Sequence, residues 1–516
     1  MKRAIKYFIV FGIMATSGLF VSGQITNPLY FMSNVPQSNR INPAYQPNCG
    51  FYLGMPFLAP MKLQFSSSSL GVNDLIFPSK AVNDSLITPF HPLADSTVKD
   101  AFLSNLRSSK NNLTTDIGLT MFSLGKRIKK SFISLDAVMR TEFAYNYSGG
   151  LFQFAMNGIN NADNSIDLSG AGFDFTIYTE TGVGFSRKDF ILPNLDIGIR
   201  GKVMFGMANV STRESELEIV SSMDSLYLHL NMEVAASTVP ILVDLSNYEP
   251  DLENLEPPPL GIEDMQFGSI DQIKQSASEI FGGILKSNVG FGLDVGASYR
   301  PIPQLQVSAS LIDLGYIKWN NNASAKLNFD YNFQGVEISS EEIQKIIDNG
   351  TEEIFTSIAE ELIDSLISPK TIDIGAAPSY RSMMTPKLFV GASFYPIQKI
   401  GFGLLSRTDF LKDHVSQQFT GSVNMTTGRH INLTLSYSYM QRKFNNIGAG
   451  ISLVARPFNL YLISDNIISA GYRLLEPENI YLMEARSINL WFGMNITFGW
   501  KKSAKKAKTF DRPLIL

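Results

Sequence analysis

Along much of this chain apolar residues alternate with small or polar ones, and each stretch keeps that period of two for the length of a long strand. In 487–500 one side carries Ile488, Leu490, Phe492, Met494, Ile496, Phe498 and Trp500, and the other Asn489, Trp491, Gly493, Asn495, Thr497 and Gly499. Residues 431–439 set Ile431, Leu433, Leu435, Tyr437 and Tyr439 against Asn432, Thr434, Ser436 and Ser438. In 289–299, Val289, Phe291, Leu293, Val295, Ala297 and Tyr299 oppose Gly290, Gly292, Asp294, Gly296 and Ser298. The stretches 133–145, 173–185, 195–207, 372–380 and 388–394 follow the same rule less regularly. A period of two belongs to strands, and about 9 to 11 tilted strand residues span a bilayer. Inside hydrocarbon no water satisfies backbone N–H and C=O groups, so strands cross only as a closed barrel. The strands of a soluble sandwich also alternate, but they average about five or six residues. The expected fold is therefore all-β: a transmembrane antiparallel up-and-down β-barrel of roughly 14 to 16 strands, with about sixteen stretches counted.

Short breaks rich in turn residues fall at 126–130, 300–303, 395–398, 427–430 and 455–458, and long ones at 67–115, 146–172, 211–287 and 467–486. Barrels of this kind keep short turns at the periplasm and long loops outside. Two segments leave the pattern and predict short helical insertions. In 270–285 the residues Ile270, Ile273, Ala277, Ile280, Phe281 and Ile284 recur at helical spacing, after the acidic, proline-rich stretch 249–264. In 340–366, Ile343, Ile346, Ile347, Ile354, Ile358, Leu362, Ile363 and Leu366 do the same, and strand parity places this second insertion on the periplasmic side.

The ends complete the division of the chain. Lys2, Arg3 and Lys6 precede an apolar run over 7–20 and the small residues Ser22 and Gly23, the pattern of a cleaved signal peptide, 1–23. Export without a further run of about 18 apolar residues points to the cell outer membrane. Residues 24–50 are proline-rich and aperiodic, which suits either an N-terminal hatch in the barrel or an extended periplasmic lead-in. The barrel takes 51–500, and 501–516 is a basic periplasmic tail. Charged residues at 17% and aromatic residues at 11% suit lipid-facing strands with interfacial belts. A net charge of -4 offers nothing to nucleic acid, and the single cysteine, Cys49, forms no internal disulfide.

Read by parity, the lumen receives Asp136, Arg140, Glu142, Asp174, Glu180, Asp196, Arg200, Lys202, Asp294, Asp373 and Arg381. On the lipid side an Arg or Lys near the midplane would cost about 2 to 4 kcal/mol, which supports this assignment of faces. Two uses stay open: an ion-pair network bracing a packed or plugged interior, and a selectivity surface for a polar solute. The histidines His91, His229, His414 and His430 are scattered, and no phosphate loop or nucleophile elbow occurs. No enzyme activity, cofactor or metal is expected.

The opening Asn27-Pro28-Leu29-Tyr30-Phe31-Met32, the run from Val35 through Arg40-Ile41-Asn42-Pro43-Ala44-Tyr45 to Pro47, and Ser310-Leu311-Ile312-Asp313-Leu314-Gly315-Tyr316-Ile317-Lys318-Trp319 resemble a Bacteroidota outer-membrane β-barrel family of unknown function. That family is distantly similar to FadL-type transporters and to barrel components of type IX secretion. The resemblance implies fourteen strands and a hatch over 27–47 with Asn42, Pro43 and Ala44 as its turn. It also implies passive transport, although a fatty-acid carrier calls for an apolar lumen and these inward faces are charged. The expected function is passage of a small hydrophobic or amphipathic solute across the outer-membrane lipid. The alternative is a non-transporting scaffold docking partner proteins of a secretion or surface-assembly machine.

Overall fold

The structure is a computed structural model. It describes residues 27–54, 61–79, 85–107, 111–157, 164–221, 226–238, 288–320, 322–333, 372–397, 399–411, 415–427, 430–440, 443–466 and 486–499. The expected signal peptide, the insertions 270–285 and 340–366 and the tail 501–516 lie outside these residues.

The sheet begins with β1 (Phe51–Gly54) and β2 (Met61–Ser67), which share one strand position, and β3 (Phe77–Ser79) and β4 (Ser85–Ile87) form a separate hairpin. Then follow β5 (Asn111–Ile128), β6 (Ser131–Tyr147), β7 (Asn164–Asp167), β8 (Gly172–Arg187), β9 (Leu195–Ser221), β10 (Leu226–Thr238), β11 (Val289–Ile302), β12 (Leu305–Trp319), β13 (Asn322–Phe333) and β14 (Ile372–Ala376). The last third adds β15 (Tyr380–Met383), β16 (Lys387–Ile397), β17 (Ile400–Phe410), β18 (Val415–Thr427), β19 (Ile431–Met440), β20 (Lys443–Ala455), β21 (Phe458–Ser464) and β22 (Ser487–Phe498). The first position closes the circle: Phe51 pairs with Phe498 of β22 on one side and with Lys126 of β5 on the other. β2 repeats this higher up, with Met61 opposite Phe492 and Leu119.

The result is a closed antiparallel barrel of 14 strands, fewer than the alternating stretches suggest. β10, β13 and β14 account for the difference. β9 pairs with β11 only up to Phe205, and beyond that its residues 208–221 pair with β10, β10 with β13, and β13 with β14. These strands make an arm that continues past the barrel and adds nothing to its circumference. The arm also corrects the parity reading. β13 ends at Phe333 opposite Leu226, and β14 begins at Ile372 opposite Leu327, so both of these strand ends lie at the long-loop end, where a count that takes the arm strands as spanning expects the periplasm.

The connections 128–131, 187–195, 302–305, 397–400, 427–431 and 455–458 gather at the other end, the periplasmic end of such a barrel. Outward-facing Val183, Phe185, Ile199, Phe291, Leu404 and Phe419 are exposed, as a lipid-facing belt requires. No helix among the described residues is long and apolar enough to cross a membrane, and the chain crosses by strands. The apolar core lies inside the barrel. Leu29, Tyr30, Phe31, Met32, Val35 and Ile41, all upstream of the first strand, pack against Phe389, Leu405, Ile463 and Trp491 of the wall.

Candidate functional site

The lumen is organised around the N-terminal segment 27–47. Asn42 starts a tight turn: its side-chain oxygen accepts from the Ala44 N–H at 3.0 Å and its carbonyl from the Tyr45 N–H at 2.9 Å. Pro43 supplies the fixed φ that the second turn position favours. The Asn42 side-chain nitrogen donates to the carbonyls of Ala297 and Ala309 at 3.3 and 3.4 Å. It reaches them over Gly296, where a Cβ would strike the asparagine. Inward glycines serve the same purpose elsewhere: Gly391, Gly403 and Gly450 leave room for Tyr30, Phe31 and Met32.

Mostly neutral groups of the wall hold this segment, and at its C-terminal end the Arg127 guanidinium of β5 donates to Gln46 Oε1 at 2.6 Å and to the Pro47 carbonyl. The Asn27 N–H donates to Asp465 Oδ1 at 2.9 Å, a carboxylate contact, and its side-chain nitrogen donates to Thr420 Oγ1 at 3.0 Å. Asn34 donates to Ser452 Oγ at 2.7 Å, while its carbonyl accepts from Asn459 Nδ2 at 3.0 Å. Gln37 and Asn495 exchange a reciprocal amide pair at 2.7 and 3.0 Å. Ser310 Oγ donates to the Ile41 carbonyl at 2.6 Å, and the hydroxyls of Tyr30 and Tyr45 meet Ser308 Oγ at 2.7 and 2.9 Å.

The opposite wall, β6, β8, β9, β11 and β12, is charged. Arg200 lies 2.5 Å from Asp136, 2.6 Å from Glu180 and 3.0 Å from Asp294. Lys202 bridges Asp294 at 2.6 Å and Asp313. Arg140 approaches Glu180 at 3.3 Å and Glu142 at 3.6 Å, and Lys387 reaches Asp313 at 2.8 Å. From the N-terminal segment, Arg40 comes within 3.6 Å of Asp136. Five cations (Arg40, Arg140, Arg200, Lys202, Lys387) thus face five carboxylates (Asp136, Glu142, Glu180, Asp294, Asp313), and the cluster is neutral as a whole. Buried charges persist only in such matched arrangements.

Between the cluster and the long-loop end lies a vestibule of about 660 Å³, lined by Arg140, Glu142 and Lys387 of the cluster, by Asp116 and Gln64, and by Tyr178, Ile317 and Met384. Its size suits a small ligand. Polar and apolar walls meet in one cavity.

Comparison with known families decides the kinship. A family model, described as a family of unknown function, matches residues 43–465, from the turn proline to the carboxylate that holds Asn27. The chain belongs to the DUF5723 family. No curated protein matches the DUF5723 chain in sequence. Among solved structures it is similar to a Pseudomonas aeruginosa FadL homologue at 8% identity and a TM-score of 0.37, over 94% of this chain and 100% of that one. It is similar to the Pseudomonas putida toluene transporter TodX at 8% identity and 0.34, over 92% and 93%, and to the Ralstonia pickettii toluene transporter TbuX at 9% and 0.30, over 93% and 96%. At these scores neither fold nor cargo is read from the likeness; the fold stands on the strand pairing.

In this DUF5723 barrel Asp136, Arg140, Glu142, Glu180, Arg200, Lys202 and Asp294 meet in one cluster. Asp174 stands apart, accepting from Thr176 Oγ1 at 3.0 Å, and Asp196 pairs with Arg300 at 2.6 Å beside the periplasmic turns. Asp373 pairs in register with Lys326, which puts it in the arm and not in the barrel wall; its side chain is outside the described set. Arg381 is exposed, lies 4.8 Å from the Tyr316 ring and borders the vestibule, while its neighbours Tyr380 and Ser382 pack on Trp319. Strict alternation breaks down on the neighbouring strand, because the β11–β12 register shifts after Leu293. The same irregularity hides Asp313, whose φ is 60° and whose N–H donates to Asp294 Oδ1 at 2.7 Å. Inward Ser308, Ser310 and Ile312 would aim Asp313 at lipid. A carboxylate at a lipid position in an apolar strand is the sequence signal for such a bulge.

Proposed function

We propose that this chain is an outer-membrane barrel that passes a small amphipathic solute passively, with 27–47 as a hatch. What carries the reading is the stacking of three layers: an amphipathic vestibule at the long-loop end, a neutral charge cluster beneath it, and a segment filling the rest of the lumen. A solute enters the vestibule, rests its apolar part on Tyr178, Ile317 and Met384, and leaves as the hatch shifts. The hatch is suited to shifting because the polar part of its grip is made mostly of neutral hydrogen bonds, each worth about 1 kcal/mol net. Removing 27–47 is expected to raise uptake of radiolabelled hexyl β-D-glucopyranoside by cells displaying the barrel. Uptake equal to that of cells without the barrel, in both forms, contradicts transport.

A second reading, a scaffold docking partner proteins, draws on the arm. Glu214, Glu216 and Glu218 stand exposed on one face of β9, past the end of its pairing with β11. Replacing the three by Ser is expected to abolish co-purification of a partner under this reading, with uptake unchanged. Retention of every co-purifying protein contradicts it.

A further inference from the structure

We propose that the vestibule is a binding site for an uncharged polyhydroxylated head group, the sugar end of a glycoside, and this deepens the transport reading and rests on it. The observation is a set of polar atoms that face the cavity without partners. Gln64 lines the vestibule with only 8% of its surface exposed, and its side-chain oxygen is buried with no hydrogen-bond partner. One position round the wall, Asp116 holds Lys62 with one carboxylate oxygen while the other oxygen is buried and unpaired. Arg213, whose guanidinium lies 3.5 Å from the Tyr380 ring centre, leaves Nη2 buried and unpaired in the same lining. Buried polar atoms are nearly always paired, so a group of unpaired ones around a cavity marks what a guest must supply.

Two acceptors and a donor are left open. A hydroxyl both donates and accepts, so a polyol answers all three; an ammonium answers only the acceptors, and a carboxylate only the guanidinium. Charge argues the same way. The lining holds as many acidic as basic residues, so an ionic head would give up its hydration without finding a net opposite charge. The apolar end has its own place. Tyr178, Ile317 and Met384 pack as one cluster with Trp319 and face the cavity, ready for a short alkyl or other apolar aglycone.

The test is titration calorimetry on the full barrel in lipid nanodiscs with three probes sharing one tail: hexyl β-D-glucopyranoside, hexanoate and hexylammonium. The glucoside is expected to bind at least about tenfold more tightly than either ion. Gln64→Met, which keeps the side-chain volume and removes the acceptor, is expected to weaken glucoside binding about tenfold and leave hexanoate binding unchanged. Gln64→Leu is expected to do the same, and circular dichroism of the sheet verifies that both variants fold. Equal binding of the three probes, no binding of any, or glucoside binding indifferent to both variants overturns the site. Uptake by cells separates the two claims. Gln64-dependent binding without uptake leaves the site and removes transport, whereas glucoside uptake insensitive to Gln64 leaves transport and removes the site.

Discussion

The two halves of the inner wall solve the same problem in different ways. The wall around β18 to β22 is lined with Thr420, Ser452, Asn459 and Asn495, and these neutral groups are completed by the N-terminal segment. The wall formed by β6, β8, β9 and β11 is lined with Asp136, Glu180, Arg200 and Asp294, and these are completed by one another. The charged wall touches the segment through Arg40 beside Asp136 and through the Asn42 turn, which sits on Gly296 and donates to the Ala297 carbonyl. A buried charge leaves behind a large desolvation cost when its partner goes, while a neutral hydrogen bond exchanges with water at a small net loss. The difference assigns separate duties: the charged half fixes the barrel, and the neutral half holds something that is able to let go.

Substitutions in each half sharpen this contrast. The largest effect is expected from Arg200→Met, which leaves Asp136, Glu180 and Asp294 facing each other without their shared cation. Barrel stability, read from loss of sheet circular dichroism in urea, is expected to fall by about 3 to 5 kcal/mol. In the neutral half, Asn495→Leu strands the Gln37 amide and is expected to loosen the segment by about 1 to 3 kcal/mol, with the barrel midpoint nearly unchanged. Thiol labelling of a cysteine placed in the segment reads that loosening, and a barrel midpoint that falls as far as for Arg200→Met removes the contrast. Gly296→Ala pushes a methyl into the Asn42 turn and is expected to release the segment by a similar or smaller amount, about 1 to 3 kcal/mol.

The smallest effect is expected outside both halves, in the arm. His229 hydrogen-bonds the Asp330 carboxylate at 2.7 Å, which raises its pKa above the ordinary 6.5. The contact contributes fully below the unfolded value and fades as pH rises through the raised folded one. Asp330→Asn is therefore expected to bring the His229 titration, followed by its ring-proton resonances, back toward 6.5, with no change in barrel or segment. An unshifted titration contradicts the pairing.

Much of this was legible in the chain because side-chain period reports which side of a strand is wet. That rule places Asp136, Glu180, Arg200 and Asp294 on one face, and Asn42 followed by Pro43 announces a turn. Three things escape it. Alternation in β10 and β13 is indistinguishable from that of a spanning strand, since an amphipathic sheet beyond the membrane has the same two faces. The register shift beside Asp313 turns one residue against the period, and only the carboxylate standing at an otherwise lipid-facing position signals it. The place of 27–47 depends on contacts more than two hundred and fifty residues away, such as Asn42 with Ala297 and Gln37 with Asn495, which no periodicity encodes.

The central claim is that the segment in the lumen releases independently of the barrel around it. The most direct measurement places a cysteine at Ser38, fully buried in the segment, in a Cys49→Ser background. Its labelling by a membrane-impermeant maleimide is then followed through a urea titration in lipid, alongside the sheet signal. The account predicts that Ser38→Cys becomes reactive at urea concentrations where the barrel is still intact. Labelling that begins only as the sheet signal is lost would contradict it.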